Sequence, residues 1–265
     1  MRQPSIYLPH GGGPCFFMDP PEDDPARWIA MADYLSSLPG HLPARPDALL
    51  VISAHWECPR PTLLSAPAPG LLFDYYGFPP HTYTLTYPAP GAAGLIPRVR
   101  TLLEGAGIAS DEDPARGYDH GVFVPLKVAF PDADIPILQL SLQKGLDPAR
   151  HIAIGRALEP LRDANVAVIG SGLSFHNLGG LGDPALNRSA TAFDEWLTDA
   201  VQKPAAERGS ALEAWSAAPG ARASHPREEH LLPLMVAAGA AGDDPGRQVF
   251  SGAIWGKAVS AYHFG

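Results

Sequence analysis

The stretch Ala48-Leu49-Leu50-Val51-Ile52-Ser53-Ala54-His55-Trp56-Glu57 begins with uncharged, mostly aliphatic and β-branched residues. Such a run reads as a strand buried on both faces, the kind found in parallel sheets covered by helices on each side. Ser5-Ile6-Tyr7-Leu8, Pro136-Ile137-Leu138-Gln139-Leu140-Ser141-Leu142 and Val166-Ala167-Val168-Ile169-Gly170 read the same way. Helical patterns lie between and after them, near 26–38, 92–106, 148–164, 189–203 and 226–241. Asp147-Pro148 sets an N-cap before a proline at the first helical position, which supports the third of these. Thr82-Tyr83-Thr84-Leu85-Thr86-Tyr87 suits a half-exposed or edge strand, and a short C-terminal strand is expected near 248–254. Strand–helix alternation predicts an α/β protein: a single-domain sandwich with a central, mostly parallel or mixed sheet flanked by helices. The chain has no internal repeat and no linker-like break, so residues 1–265 are expected to form one domain.

Composition narrows the function. Hydrophobic residues make up 46% of the 265 and charged residues 18%, enough to bury a core and a poor match to disorder, collagen or coiled coil. The formal charge of −9 repels phosphate backbones and anionic lipid, which argues against nucleic-acid and membrane-surface partners. No apolar run approaches the ~18 residues of a membrane span, and the N-terminus lacks the apolar core of a signal peptide. Cys15 and Cys58 cannot make a disulfide framework or a four-thiolate zinc site. A cytoplasmic protein is the expectation.

The 10 histidines are more informative. His10 follows the first strand, in Leu8-Pro9-His10-Gly11-Gly12-Gly13-Pro14. His55 follows the second, and His176 follows another in Gly170-Ser171-Gly172-Leu173-Ser174-Phe175-His176-Asn177. In open α/β sheets ligands bind beyond the carboxyl ends of strands, so these three can share a site. His225 and His230 lie in Ser224-His225-Pro226-Arg227-Glu228-Glu229-His230-Leu231, where Ser224 and Pro226 suit a helix start and place His230 in the early turns. Five helical residues rotate roughly 140°, so one of the two rings faces a shared site and the other is a solvent or supporting group. The plainer reading has His230 held by Glu228 or Glu229. His120, in Tyr118-Asp119-His120-Gly121-Val122-Phe123-Val124-Pro125-Leu126, suits an exposed imidazole on a loop oriented by its acidic neighbour. Neutral imidazole ligates iron, zinc, copper and nickel alike, so the pattern does not name a metal. His41 and His151 read as surface or internally satisfied.

Several familiar motifs fail on specific residues. His10-Gly11-Gly12-Gly13 matches the oxyanion loop of some lipases, but no G-x-S-x-G elbow exists in the chain. Gly170-Ser171-Gly172 begins a dinucleotide fingerprint whose third glycine is replaced by Phe175. His55-Trp56-Glu57 has the H-x-E spacing of zinc deaminases without their P-C-x-x-C partner.

Taken in order, these stretches and Phe73-Asp74-Tyr75-Tyr76-Gly77-Phe78-Pro79 resemble the class III extradiol ring-cleavage dioxygenases. The closest resemblance is to the DOPA 4,5-dioxygenase group of the LigB-like superfamily. The resemblance runs from residue 5 to about 241, and its strength lies in six motifs in family order. It implies a mononuclear non-haem Fe(II) site in which His10 and His55 match the two metal-binding histidines. His230 matches the third ligand, which is a Glu in the protocatechuate branch; three histidines depart from the 2-His-1-carboxylate triad of many oxygenases. His176 matches the active-site base and can serve as a fourth ligand when no substrate is bound. His120 matches a second catalytic histidine that orients substrate or dioxygen. Tyr75, His225 and Arg227 are expected to touch substrate.

The implied reaction opens a catechol ring with O2, with His176 taking a proton as the catechol binds. The partners are then a small-molecule catechol and O2, with an oligomer left open. Zinc can occupy such a site in a purified protein, and three imidazoles with an open position also describe a zinc hydrolase. A non-catalytic metal-binding member and a plain binding module are further alternatives, separated from a dioxygenase by O2 consumption. A carboxylate-bearing catechol would need a cation in the pocket, for which Arg227 and Lys257 are the candidates near the motifs.

Overall fold

Alternate residues of the central strands enter two different cores. Leu50, Ile52, Leu138, Leu140 and Val168 belong to one apolar cluster, while Leu49, Val51, Ile6, Leu8 and Ile169 belong to another on the opposite face. This is the period-2 consequence of a strand covered on both sides. Each such Leu or Ile contributes roughly 1.5–3 kcal/mol relative to exposure. A computed structural model describes residues 1–265. Eight strands form the sheet: β1 (Ser5–Pro9), β2 (Ala48–Cys58), β3 (Thr62–Leu64), β4 (Asp111–Asp113), β5 (Ile137–Gln143), β6 (Val166–Gly172), β7 (Gly246–Ile254) and β8 (Lys257–Phe264). Their order is β4-β3-β5-β2-β6-β1-β8-β7. β5, β2, β6 and β1 run parallel, and β8 and β7 extend the sheet antiparallel, so the sheet is mixed.

Eight α-helices flank it: α1 (Ile29–Ser37), α2 (Ile96–Gly105), α3 (His120–Ala129), α4 (Pro148–Leu158), α5 (Asn187–Gln202), α6 (Ala205–Glu213), α7 (Ala221–Ser224) and α8 (Leu232–Ala240). α1 and α3 supply Met31, Leu35, Val122 and Phe123 to one core; α4, α5 and α8 supply Ile152, Leu197 and Leu234 to the other. α4 and α8 touch backbone to backbone, because a Cβ at Gly155 or Gly239 would strike a carbonyl of the facing helix. No helix is long and apolar enough to cross a membrane.

The α/β sandwich is therefore as the alternation predicted, with local corrections. Asp147 caps α4 through Ala149 N–H, but α4 stops at Leu158 and a 3-10 turn over Glu159–Ala164 carries Pro160, which has no N–H to continue the α pattern. The expected strand at 82–87 is instead a 3-10 turn over Pro80–Thr84, entered through Pro79 and Pro80. The helix expected over 226–241 begins only at Leu232, so His230 lies in the turn before it. His120, expected on an exposed loop, is the buried first residue of α3.

Candidate active site

Parallel strands end at the same edge of a sheet, and three of them deliver histidines there. Pro9 pairs with Gly172 and Ser53 with Ser171, so β1 and β6 end level with Ser53 of β2, which runs on to Cys58 and so holds His55 within the strand and not after it. His10 follows β1 directly. His55 lies where the register between β2 and β5 slips, between Ile52 and Glu57, which carries it clear of the ladder. His176 sits on the loop after β6, its N–H bonded to the Ser224 carbonyl. Gly172 admits the last histidine: a Cβ there would strike the His230 carbonyl, which accepts from Leu173 N–H and from Tyr7 Oη.

The Nε2 atoms of His10 and His230 each lie 3.2 Å from Nε2 of His55. In His10 and His230 the opposite ring nitrogens hold the protons, so neither Nε2 donates to His55. Ser171 Oγ donates to the Gly121 carbonyl, so its oxygen can only accept from His10 Nδ1, 3.1 Å away. His230 Nδ1 donates to Glu229 Oε1 at 2.9 Å. His55 Nδ1 faces Asp74 Oδ2 at 3.6 Å. The lone pairs of His10 and His230 thus converge on Nε2 of His55, and these two rings are each backed by a hydrogen-bonded oxygen, as in metal-ligating histidines with their supporting partners. Nitrogens of His10, His55 and His230 fall within 4.8 Å of one another, close enough to hold one ion.

Electrostatics agrees with that donor set. Burial, reinforced by the neighbouring imidazoles, holds His10 and His230 well below the ordinary histidine range. Burial and His120 push His55 down to about 3, against an opposing pull from Asp74. Neutral rings are the form that binds a metal.

Two more imidazoles face this centre. The His120 ring lies 3.9 Å from that of His55, and the His176 ring stacks on His230 at 3.3 Å between centroids. His120 donates from Nδ1 and backbone N–H to the same oxygen of Asp74. His176 donates from Nδ1 to Glu229 Oε1, the oxygen that also receives His230. Each carboxylate therefore bridges one convergent histidine and one flanking histidine, and leaves Nε2 of the flanking ring toward the cavity. Burial pushes the Glu229 carboxyl up, but His176 and Arg227 outweigh it and hold it below the ordinary range.

The cavity over these rings has a volume of about 920 Å³, and all five histidines, Tyr75 and Arg227 line it. Tyr75 turns its ring edge-on to His120 and donates its hydroxyl to Thr82. Arg227 stands at the rim, both terminal nitrogens on Glu57. His225 does not contact the cavity: it is fully buried against Phe193 and Trp215, with Nε2 donating to the Ser174 carbonyl. Its expected substrate contact is thereby corrected, and of the pair only His230 faces the centre. Lys257 is likewise unavailable to a substrate, since its buried ammonium donates to Leu181, Asp183, Asn187 and Trp255.

Glu229 holds His230, as the plainer sequence reading expects, while its second contact to His176 and the whole role of Asp74 have no signal in the local sequence. Both carboxylates stand inside quoted motifs, next to residues that were singled out. Asp119, the acidic neighbour expected to orient His120, instead accepts from Ser53, Gln139 and Arg116.

Comparison with known proteins fits this geometry. The family described as the catalytic LigB subunit of aromatic ring-opening dioxygenase matches residues 4–263. The chain is 38% identical to "Dioxygenase tasH" of Hapsidospora irregularis, over 99% of this chain and 85% of that protein. It is 39% identical to the 4,5-DOPA dioxygenase extradiol of Beta vulgaris, over 82% of this chain and 81% of that one. The crystal structure of uncharacterized protein JW3007 from Escherichia coli K12 has a TM-score of 0.80 to this fold at 30% identity, covering 100% of both chains.

Proposed function

This chain belongs to the LigB family of extradiol ring-opening dioxygenases, and on that premise we propose that residues 1–265 form one catalytic unit that uses Fe(II) to open a catechol ring with O2. The observation that carries the metal assignment is the approach of three Nε2 atoms, on His10, His55 and His230, with the His10 and His230 rings held from behind by hydrogen-bonded oxygens and Asp74 facing His55. A metal held by these three histidines would supply Lewis acidity toward the catechol and a redox path between the ring and dioxygen.

The protein's own groups account for the proton. Nε2 of His176 faces the cavity while Nδ1–H is fixed on Glu229, so the ring is poised to accept the catechol proton. The Glu229 carboxylate then stabilises the imidazolium across the 3.1 Å contact. His120, fixed twice by Asp74, presents its own Nε2 from the other side and orients substrate and dioxygen. In the absence of substrate His176, stacked on His230, would serve as a fourth ligand. Zinc fits the same nitrogens and would occupy the site without supporting oxygen chemistry.

Metal content and turnover separate these roles. His10→Ala and His55→Ala should each leave the protein without stoichiometric metal. His176→Ala should retain metal and lose roughly 10²–10⁴-fold in turnover. Full metal occupancy in His10→Ala or His55→Ala, or turnover near wild type in His176→Ala, would overturn the assignment.

A further inference from the structure

The cavity extends well past the imidazoles. At about 920 Å³ it matches a drug-sized ligand and is several times what one dihydroxylated ring fills. Its outer compartment is apolar. Trp28 meets Trp255 edge to face, with centroids 5.8 Å apart, and Leu178, Leu181 and Ile254 complete the wall. Large hydrophobic side chains exposed on this protein number six, and three of them, Tyr76, Leu178 and Trp255, line this one cavity. Exposed apolar surface concentrated at one opening marks a place where ligand or partner covers it.

Trp255 carries a second, independent mark. It forms the β7–β8 turn with Gly256, and both have positive φ, 48° and 73°. That conformation suits Asn or Gly, and for a bulky side chain it is strained by ~1–3 kcal/mol. The Lys257 ammonium holds the turn in place by donating to the Trp255 carbonyl and to the 181–187 segment. A tryptophan kept at such a position, with the Arg27 guanidinium 4.1 Å above its ring, is fixed as a rigid wall.

Charge restricts what the compartment accepts. Both guanidiniums that reach the cavity are paired with carboxylates, Arg227 with Glu57 and Glu229, and Arg27 with Asp23 and, at 3.6 Å from an Nε that makes no hydrogen bond, Asp24. The lining contains no lysine. A substrate carboxylate would have to compete with the carboxylates already paired to these guanidiniums. We propose that the compartment bounded by Trp28, Leu178, Leu181, Ile254 and Trp255 receives an uncharged aryl or alkyl substituent. The preferred substrates are then catechols with an apolar extension, in preference to carboxylate- or amino-acid-bearing ones. This rests on the dioxygenase reading above, which fixes the dihydroxylated ring at the imidazoles.

The test uses the Fe(II)-loaded enzyme and four probes: 4-phenylcatechol, catechol, 3,4-dihydroxybenzoate and DOPA. Turnover is measured in air, and anaerobic binding is followed by tryptophan fluorescence. 4-Phenylcatechol should exceed catechol by at least about tenfold in both kcat/KM and affinity, and the two charged probes should fall below catechol. Trp255→Gly, which removes the wall while relieving the strained φ, should cut the 4-phenylcatechol-to-catechol ratio about tenfold, and Trp255→Phe should recover most of it. Preference for DOPA or 3,4-dihydroxybenzoate, or an unchanged ratio in Trp255→Gly, would overturn the proposal. Retained aryl preference in anaerobic binding with no oxygen uptake from any probe would support the compartment and overturn the dioxygenase reading instead.

Discussion

One oxygen of Asp74 receives both the backbone N–H of His120, at 2.9 Å, and its ring Nδ1, at 2.7 Å. The paired contact fixes the rotation of the ring as well as its position, because the same acceptor constrains the start of α3 and the side chain it carries. Asp74→Asn keeps the shape and removes the charge. We expect it to lower kcat/KM by roughly 10–100-fold, the usual cost of losing a supporting partner, with metal still bound at saturating Fe(II). Steady-state oxygen uptake together with metal analysis checks this; activity within twofold of wild type would contradict it.

Glu229 does the corresponding work on the other side, but it holds its proposed ligand, His230, by a hydrogen bond of 2.9 Å where Asp74 stands 3.6 Å from His55, and it also holds the proposed base, His176. Glu229→Gln should therefore weaken metal affinity, again by roughly 10–100-fold, in addition to slowing turnover. Competition with a chelator measures the first effect independently of activity. Unchanged metal affinity with reduced turnover would show that Glu229 serves His176 alone.

Buried neutral histidines set the acid limit of stability. Burial pushes His263 down to about 3 and His225 down to about 4, and lowers His151 as well. In the unfolded chain each titrates near 6.5. Below that pH the unfolded state takes up protons that the folded state refuses, so stability is fully present above about 6.5 and declines as pH falls toward 4. His10, His55 and His230 add the same sign in the metal-free protein. Thermal melts of metal-free protein should give a lower Tm at pH 5 than at pH 7.5. A Tm that is flat or rising on acidification would contradict the neutral state of these rings.

Much of this arrangement can be read from local sequence. Each of His10, His55 and His176 follows an apolar run long enough to identify a strand, and parallel strands place their ends together. His230 over His225 was harder, because the choice depends on the turn before Leu232, and that turn is set by Gly172 in a distant strand. Glu229 beside His230 is legible as a neighbour, but the long-range contacts that make bridges of Asp74 and Glu229 are not. Asp74 finds His120 46 residues away, and Glu229 finds His176 53 residues away. Asp119 misled for the converse reason: adjacency in sequence placed it beside His120, while the helix start turned its carboxylate toward Ser53 and Gln139. The 82–87 segment misled because its alternation was real but the flanking prolines fold it into a turn.

The most direct test of the central claim is oxygen uptake by anaerobically prepared, Fe(II)-loaded protein when air and a catechol are admitted, with the ring-opened product followed by its yellow colour. The account predicts oxygen consumed mole for mole with product, and loss of both in His176→Ala. Bound metal without oxygen uptake on any catechol, or product formed without oxygen, would contradict it.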